Sequence, residues 1–265
     1  MMTGKQLRFR RLTPRGGAVI VPMDHALFAE PSAPIQDLRE LVKTVARTEA
    51  DGILITPGML EHVRDVIGRL GVILRVDGTH TRMGSHLERT DLITTVEDAV
   101  ALGADMVVAN IFVGVENEDF HLAKLGKLAA DCRRFGMPLM GEMMPASLLS
   151  FHYGKEKKSA PVEQINRDLC LVSRLGAEIG ADCIKTQYSG DREGFAVVCR
   201  SAPVPIWIAG GPAGEGEAAF LGMMRDAVAA GAQGAVIGRN VWGRPDPART
   251  IAELCGMLHT QGRPA

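Results

Sequence analysis

The sequence has no Cys-x-x-Cys pair, no apolar run long enough to span a membrane and almost no net charge. Each absence removes a class of function. The five cysteines, Cys132, Cys170, Cys183, Cys199 and Cys255, are odd in number and widely spaced. They read as reduced core thiols of a cytoplasmic protein, not as a disulfide frame or a zinc site. A formal net charge of -1 argues against a general nucleic-acid or anionic-membrane binder. The basic start, MMTGKQLRFRRLTPRGG, is not followed by a long apolar segment, so neither a signal peptide nor a membrane span is expected.

What is present is alternation. The 265 residues are 46% hydrophobic, enough for a sizeable core, and short apolar runs alternate with helical patterns throughout. Strand-like runs are GAVIVPMDH (17–25), DGILITPG (51–58), GVILRVDG (71–78), ADMVVANIFVG (104–114), MPLMGEMMP (137–145), DCIKTQYSG (182–190), VPIWIAGG (204–211) and AQGAVIGRN (232–240). Helical spacing marks 34–50, 59–70, 94–103, 119–136, 162–180 and 246–259. Continuous apolar strands are expected where both faces are covered. Eight strand runs alternating with helical patterns predict a TIM (β/α)8 barrel spanning 1–265 as one domain, with a doubly wound open sheet as the alternative.

A barrel places its active site at the C-terminal ends of the strands. Lys185 sits there, in the phase of Cys183 and Gln187. If that phase faces the barrel interior, desolvation disfavours an ammonium and favours a nucleophilic amine able to condense with a ketone or aldehyde. The bland alternative is a lysine snorkelling to solvent. Asp24 ends the first strand and is a candidate proton acceptor, or else a cap or salt-bridge partner. His25 follows it as a polar loop residue. Glu142 shares a strand face with Met144. Gly210 and Gly211 in IAGGPAG, with Gly238 and Arg239 in IGRN, end the last two strands. That is where barrels build phosphate sites from backbone N–H groups and a guanidinium. Weaker candidates are Asn110, and Asp77, His80, Arg82 and His86, whose irregular spacing does not support a metal. Lys155, Lys157 and Lys158 form a basic loop. No metal and no cofactor are expected.

PMDH, DCIKTQYSG, IAGG and GRN, in this order at these strand ends, resemble the archaeal-type class I fructose-bisphosphate aldolase family. That family includes 2-amino-3,7-dideoxy-D-threo-hept-6-ulosonate synthases and an autoinducer-2 thiolase. The resemblance implies Lys185 as the Schiff-base lysine, Asp24 as a proton-transfer residue, and Gly210, Gly211, Gly238 and Arg239 around a substrate phosphate. It also implies a homo-oligomer, often of ten subunits. Two positions depart from the family pattern: Met144 stands where a general acid/base tyrosine is expected, and Ala26 where Met-Asp-His is followed by glycine. A thioether cannot transfer a proton. The reading is therefore a Schiff-base lyase acting on a phosphorylated ketose or aldehyde, distinct from standard fructose-bisphosphate cleavage, with Glu142 or His25 assisting Asp24. One alternative is thiolase-type acyl transfer to coenzyme A from a phosphorylated diketone. Another is a sugar-phosphate-binding barrel without chemistry.

Overall fold

A computed structural model describes residues 3–27, 33–78, 81, 89–152, 160–211 and 216–259. His80, Arg82, His86, Lys155, Lys157 and Lys158 lie outside these residues, as does 212–215. The strands are β1 (Ala18–Pro22), β2 (Gly52–Ile55), β3 (Gly71–Arg75), β4 (Met106–Val113), β5 (Leu139–Pro145), β6 (Cys183–Gln187), β7 (Ile206–Ala209) and β8 (Gly234–Val236). All are parallel, each pairs with the next, and β8 returns to β1 to close the barrel. The helices are α1 (Gly4–Leu12), α2 (Ala33–Gln36), α3 (Leu38–Ala46), α4 (Pro57–Val63), α5 (Val96–Ala101), α6 (Glu118–Phe135), α7 (Ala146–His152), α8 (Val162–Ile179), α9 (Arg192–Ser201), α10 (Gly216–Ala229), α11 (Arg239–Trp242) and α12 (Pro247–Leu258). Among the described residues no helix is long and apolar enough to cross a membrane.

The period-2 alternation of a strand explains why these runs are apolar on both sides. Ala18, Ile20, Leu54, Ile73, Met106, Val108, Met140, Cys183, Trp207 and Val236 form the core inside the barrel. The residues between them, such as Val19, Ile53, Leu74, Val107, Ile184 and Ile208, pack outward under the helices. Trp207 fills much of the lower interior, and β8 passes it only because Gly234 has no side chain. A Cβ there would stand 2.6 Å from the indole Cγ.

Helix α1 plugs the N-terminal end, with Leu12 fully buried and Phe9 tilted against Trp207 at 5.9 Å between ring centroids. Its Thr3–Gln6 capping box identifies it as a helix, where the sequence suggested only a basic tail. Three aspartates anchor this N-terminal segment, each following an alanine at the start of an even-numbered strand. Asp51, Asp105 and Asp182 accept the backbone N–H groups of Val19, Val72 and Leu139 at 2.8, 3.0 and 2.9 Å. The same three pair with Arg15, Arg11 and Lys5 at 3.0, 3.0 and 2.8 Å. The N-terminal segment is thereby bound to the barrel floor at three points.

The helix expected over 34–50 is broken at Asp37, which caps α3 by accepting from the Glu40 N–H at 3.2 Å. An Asx residue that satisfies an orphan N–H starts a helix instead of continuing one. The helix expected over 59–70 begins at Pro57 and ends at Val63. Turns follow it, with Gly68 at φ +57, a conformation that ends regular helix.

Candidate active site

The inward phase of the strands becomes ionic one layer above the apolar core. On β6 it runs from Cys183 to Lys185, on β5 from Met140 to Glu142, on β3 from Ile73 to Arg75, and on β1 it reaches Asp24 just past the strand. Parallel register sets Glu142 beside Lys185 and Asn110 beside Glu142. The Lys185 ammonium nitrogen lies 2.6 Å from Glu142 Oε1, so Lys185 is turned inward and does not snorkel. It is only 6% exposed.

Arg75 links the rest. Its Nη2 donates to Glu142 Oε2 at 2.5 Å, its Nε to Asp24 Oδ2 at 2.9 Å and its Nη1 to Asp77 Oδ1 at 3.3 Å. Asp77 in turn accepts from Lys124 Nζ, the Thr90 hydroxyl and the Asn110 N–H, each at 2.9 Å. Lys124 reaches in from α6 and also donates to the Thr90 carbonyl at 2.6 Å. Three cations, Lys185, Arg75 and Lys124, therefore face three carboxylates, Glu142, Asp24 and Asp77. Such a group tolerates burial because every charge has an oppositely charged neighbour.

Protonation follows from this geometry. Burial pushes the Glu142 carboxyl up, but Lys185 and Arg75 outweigh it and hold it at about 2. Burial likewise opposes the Arg75 charge, and Glu142, Asp24 and Asp77 reverse that and raise its pKa. Lys124 is lowered, because its desolvation exceeds the help it receives from Asp77. Glu142 is thus an ionised carboxylate facing the lysine.

The residues expected around a phosphate also come together. Arg239 Nη2 donates to the Gly211 carbonyl at 3.3 Å, and Asn240 Nδ2 to the Gly210 carbonyl at 2.9 Å. These contacts tie the end of β7 to the turn after β8. Gly211 has φ +61, which only glycine adopts freely. At Gly238 an added Cβ would lie 3.2 Å from Pro22 Cγ, so this turn is seated on the end of β1. Arg239 is half-buried, and its pKa is lowered by desolvation. Among the described residues no carboxylate forms an ion pair with it. His25 begins a short 3-10 turn beside the Trp242 ring, with 6.0 Å between centroids. Burial first, then Arg239, lower its pKa against the pull of Asp24, so it is a neutral imidazole at pH 7 between the ionic cluster and the glycine turns.

Two expectations are sharpened. Asp77 serves the ionic cluster through four hydrogen bonds, and its oxygens are taken up there. Met144 is buried at 2% exposure in register with Phe112, which puts a thioether where a proton donor was expected. Tyr188 does not take its place, since its ring packs edge-on against Phe195 at 5.2 Å. Sequence reasoning overlooked Arg75, Lys124 and Asn240. Arg75 carried a usable signal, being a charge in the inward phase of an apolar strand as Lys185 is. Lys124 carried none, because its partner lies 47 residues away.

Comparison with known proteins is consistent with this geometry. Residues 18–244 match the DeoC/LacD family of aldolases. The chain is 32% identical over 262 residues to a 2-amino-3,7-dideoxy-D-threo-hept-6-ulosonate synthase of Halobacterium salinarum, covering 98% of this chain and 94% of the relative. It is 31% identical over 268 residues to an uncharacterized aldolase of Saccharolobus solfataricus, covering 97% and 95%. A solved structure of an archaeal fructose-1,6-bisphosphate aldolase, with its catalytic lysine covalently bound to the carbinolamine intermediate of its substrate, superposes with a TM-score of 0.84. It is 26% identical, and the match covers 96% of this chain and 99% of that one.

Proposed function

The chain belongs to the DeoC/LacD family of aldolases and has the fold of the class I, Schiff-base-forming enzymes; from that premise we propose that it makes or breaks a C–C bond in a phosphorylated ketose or aldehyde through an iminium on Lys185. The observation that carries the reading is the enclosed Lys185–Glu142 pair at 2.6 Å, at the strand ends and on the same barrel rim as the Gly210–Gly211 and Gly238–Arg239 turns. The substrate phosphate would rest on those turns, held by backbone N–H groups and by the Arg239 charge.

The proton balance closes without a tyrosine. The Lys185 ammonium gives one proton to Glu142, and the free amine attacks the carbonyl carbon. A second proton passes from nitrogen to the new alkoxide, giving the carbinolamine. Glu142 returns its proton to that hydroxyl, water leaves, and the protonated iminium remains with Glu142 again a carboxylate. In the cleavage direction Asp24 takes the proton of the β-hydroxyl, the C–C electrons flow into the iminium, and an aldehyde departs from the enamine. Asp24 then returns its proton to the enamine carbon, and hydrolysis frees Lys185. His25, neutral at pH 7, can hydrogen-bond the substrate between the phosphate and Asp24.

We further propose that the chain works as one domain over 1–265, in the cytoplasm, as a homo-oligomer. The five free cysteines support a reducing compartment.

The test is borohydride trapping with dihydroxyacetone phosphate and a panel of ketose phosphates. A mass increment on the Lys185 peptide, absent from Lys185→Met, is the expected result. Turnover of any panel substrate without an adduct at Lys185 overturns the reading. Turnover that requires coenzyme A assigns the chain to acyl transfer instead, and binding with neither turnover nor adduct makes it a binder.

A further inference from the structure

Asp24 and Glu142 are both held by one side chain. Arg75 spends separate nitrogens on them, Nε on Asp24 and Nη2 on Glu142, and a third on Asp77. Arg75 itself is 1% exposed and stands on β3, in register with Val108 of β4. Its Nε, Nη1 and Nη2 are each directed at a carboxylate.

We propose that Arg75 is the positioning residue of this site, a three-way spacer that fixes Glu142 against Lys185 for the nitrogen chemistry and Asp24 for the carbon chemistry while preventing the two carboxylates from sharing a proton. The inference rests on the Lys185 reading above. Its physical basis is that carboxylates gathered in a low-dielectric interior cannot all ionise unless a cation stands among them. Without one, they retain a proton between them and titrate as a unit. The two halves of the reaction need each as a base in turn, Glu142 at nitrogen and then Asp24 at the β-hydroxyl, so neither can start with a proton held between them. A planar guanidinium supplies three donors in fixed directions, whereas an ammonium on a flexible stem is a single point charge and cannot hold three carboxylates in one geometry.

The two carboxylates also differ in their other partners. Glu142 has Lys185 on its second oxygen, and Asp24 lies in the electrostatic reach of His25. Loss of Arg75 therefore leaves Glu142 with one cation and removes the cation that Asp24 touches.

The experiment compares wild type with Arg75→Lys and Arg75→Met, using whichever substrate the trapping panel identifies. Folding is checked by circular dichroism. Both variants are expected to keep the KM of the phosphorylated substrate within about threefold, because the phosphate turns lie on β7 and β8. In Arg75→Lys, kcat is expected to fall by 10-fold or more, and the acid limb of the trapping rate to move up by about 1–3 pH units, the size of an arginine's effect on a neighbouring carboxylate. Arg75→Met shows a larger fall. Trapping at Lys185 with a wild-type pH profile in either folded variant overturns the inference, as does a change confined to KM. If neither variant folds, the wild-type profile decides. A trapping rate flat down to about pH 4 supports Arg75 as the spacer, and a carboxylate limb between pH 5 and 6 refutes it. Failure of wild type to trap at all refutes the Lys185 reading instead, so the two failures are distinguishable.

Discussion

Glu142→Gln removes a charge while keeping nearly the same volume, and its consequence can be worked from the site. Burial raises the Glu142 carboxyl, Lys185 and Arg75 more than reverse this, and the result lies at about 2 against an ordinary 4.5. At ~1.4 kcal/mol per pH unit, the ionised form is favoured in the folded chain by roughly 3 kcal/mol at pH 7. The folded value is depressed, so this stability is present above about pH 4.5 and is lost as the pH falls toward 2. By the same linkage about 2 kcal/mol remains at pH 3.5. Urea unfolding of wild type and variant, followed by far-ultraviolet circular dichroism, should show a gap of about 3 kcal/mol at pH 7 that narrows by roughly a third at pH 3.5. A gap that does not change with pH would trace the loss to packing and refute the charge argument. No gap at pH 7 would mean that Lys185 and Arg75 do not hold this carboxylate. The same variant should lose ~10²–10⁴ in turnover if Glu142 carries the nitrogen-side protons.

Arg239→Gln should raise the KM for a phosphorylated substrate about 10- to 100-fold, the range for loss of one charge-assisted hydrogen bond, and leave borohydride trapping at saturating substrate nearly intact; steady-state kinetics separates the two effects. Gly234→Ala should destabilise the barrel by ~1–3 kcal/mol through overpacking, because the new methyl meets Trp207 at 2.6 Å, and thermal unfolding should register a fall of several degrees. Lys124→Met strips one cation from Asp77, which keeps Arg75, Thr90 and the Asn110 N–H. It should cost on the order of 3 kcal/mol in urea unfolding, the low end for a broken buried pair, while trapping at Lys185 persists.

The barrel was legible because alternation of apolar runs is a property of every strand and needs no partner to be seen. Lys185, Glu142 and Asp24 were legible for a related reason: each breaks an apolar phase at a strand end. The same rule applied to GVILRVDG would have found Arg75, whose phase is that of Ile73. The ion pairs themselves were not legible, since Arg75 meets Asp24 and Glu142 across 51 and 67 residues of chain. Nor was α1, because its anchors are aspartates far along the sequence and its own surface is mostly charged. Helix boundaries failed where a local cap competed with periodicity, as at Asp37. The glycine turns were readable as turns, and their approach to one another through Arg239 and Asn240 came only with the closed barrel.

The three aspartates on the barrel floor also set an order of assembly. Arg15 finds Asp51 after 36 residues, Arg11 finds Asp105 after 94, and Lys5 finds Asp182 only after 177. A chain emerging from the ribosome makes these anchors available one at a time, and the most distant loop closure comes last. Helix α1, which precedes all eight strands, is therefore among the last elements to be fully secured. Until the start of β6 is in place Lys5 lacks its aspartate, and the N-terminal segment acts as a latch that the growing barrel draws shut from Arg15 back to Lys5.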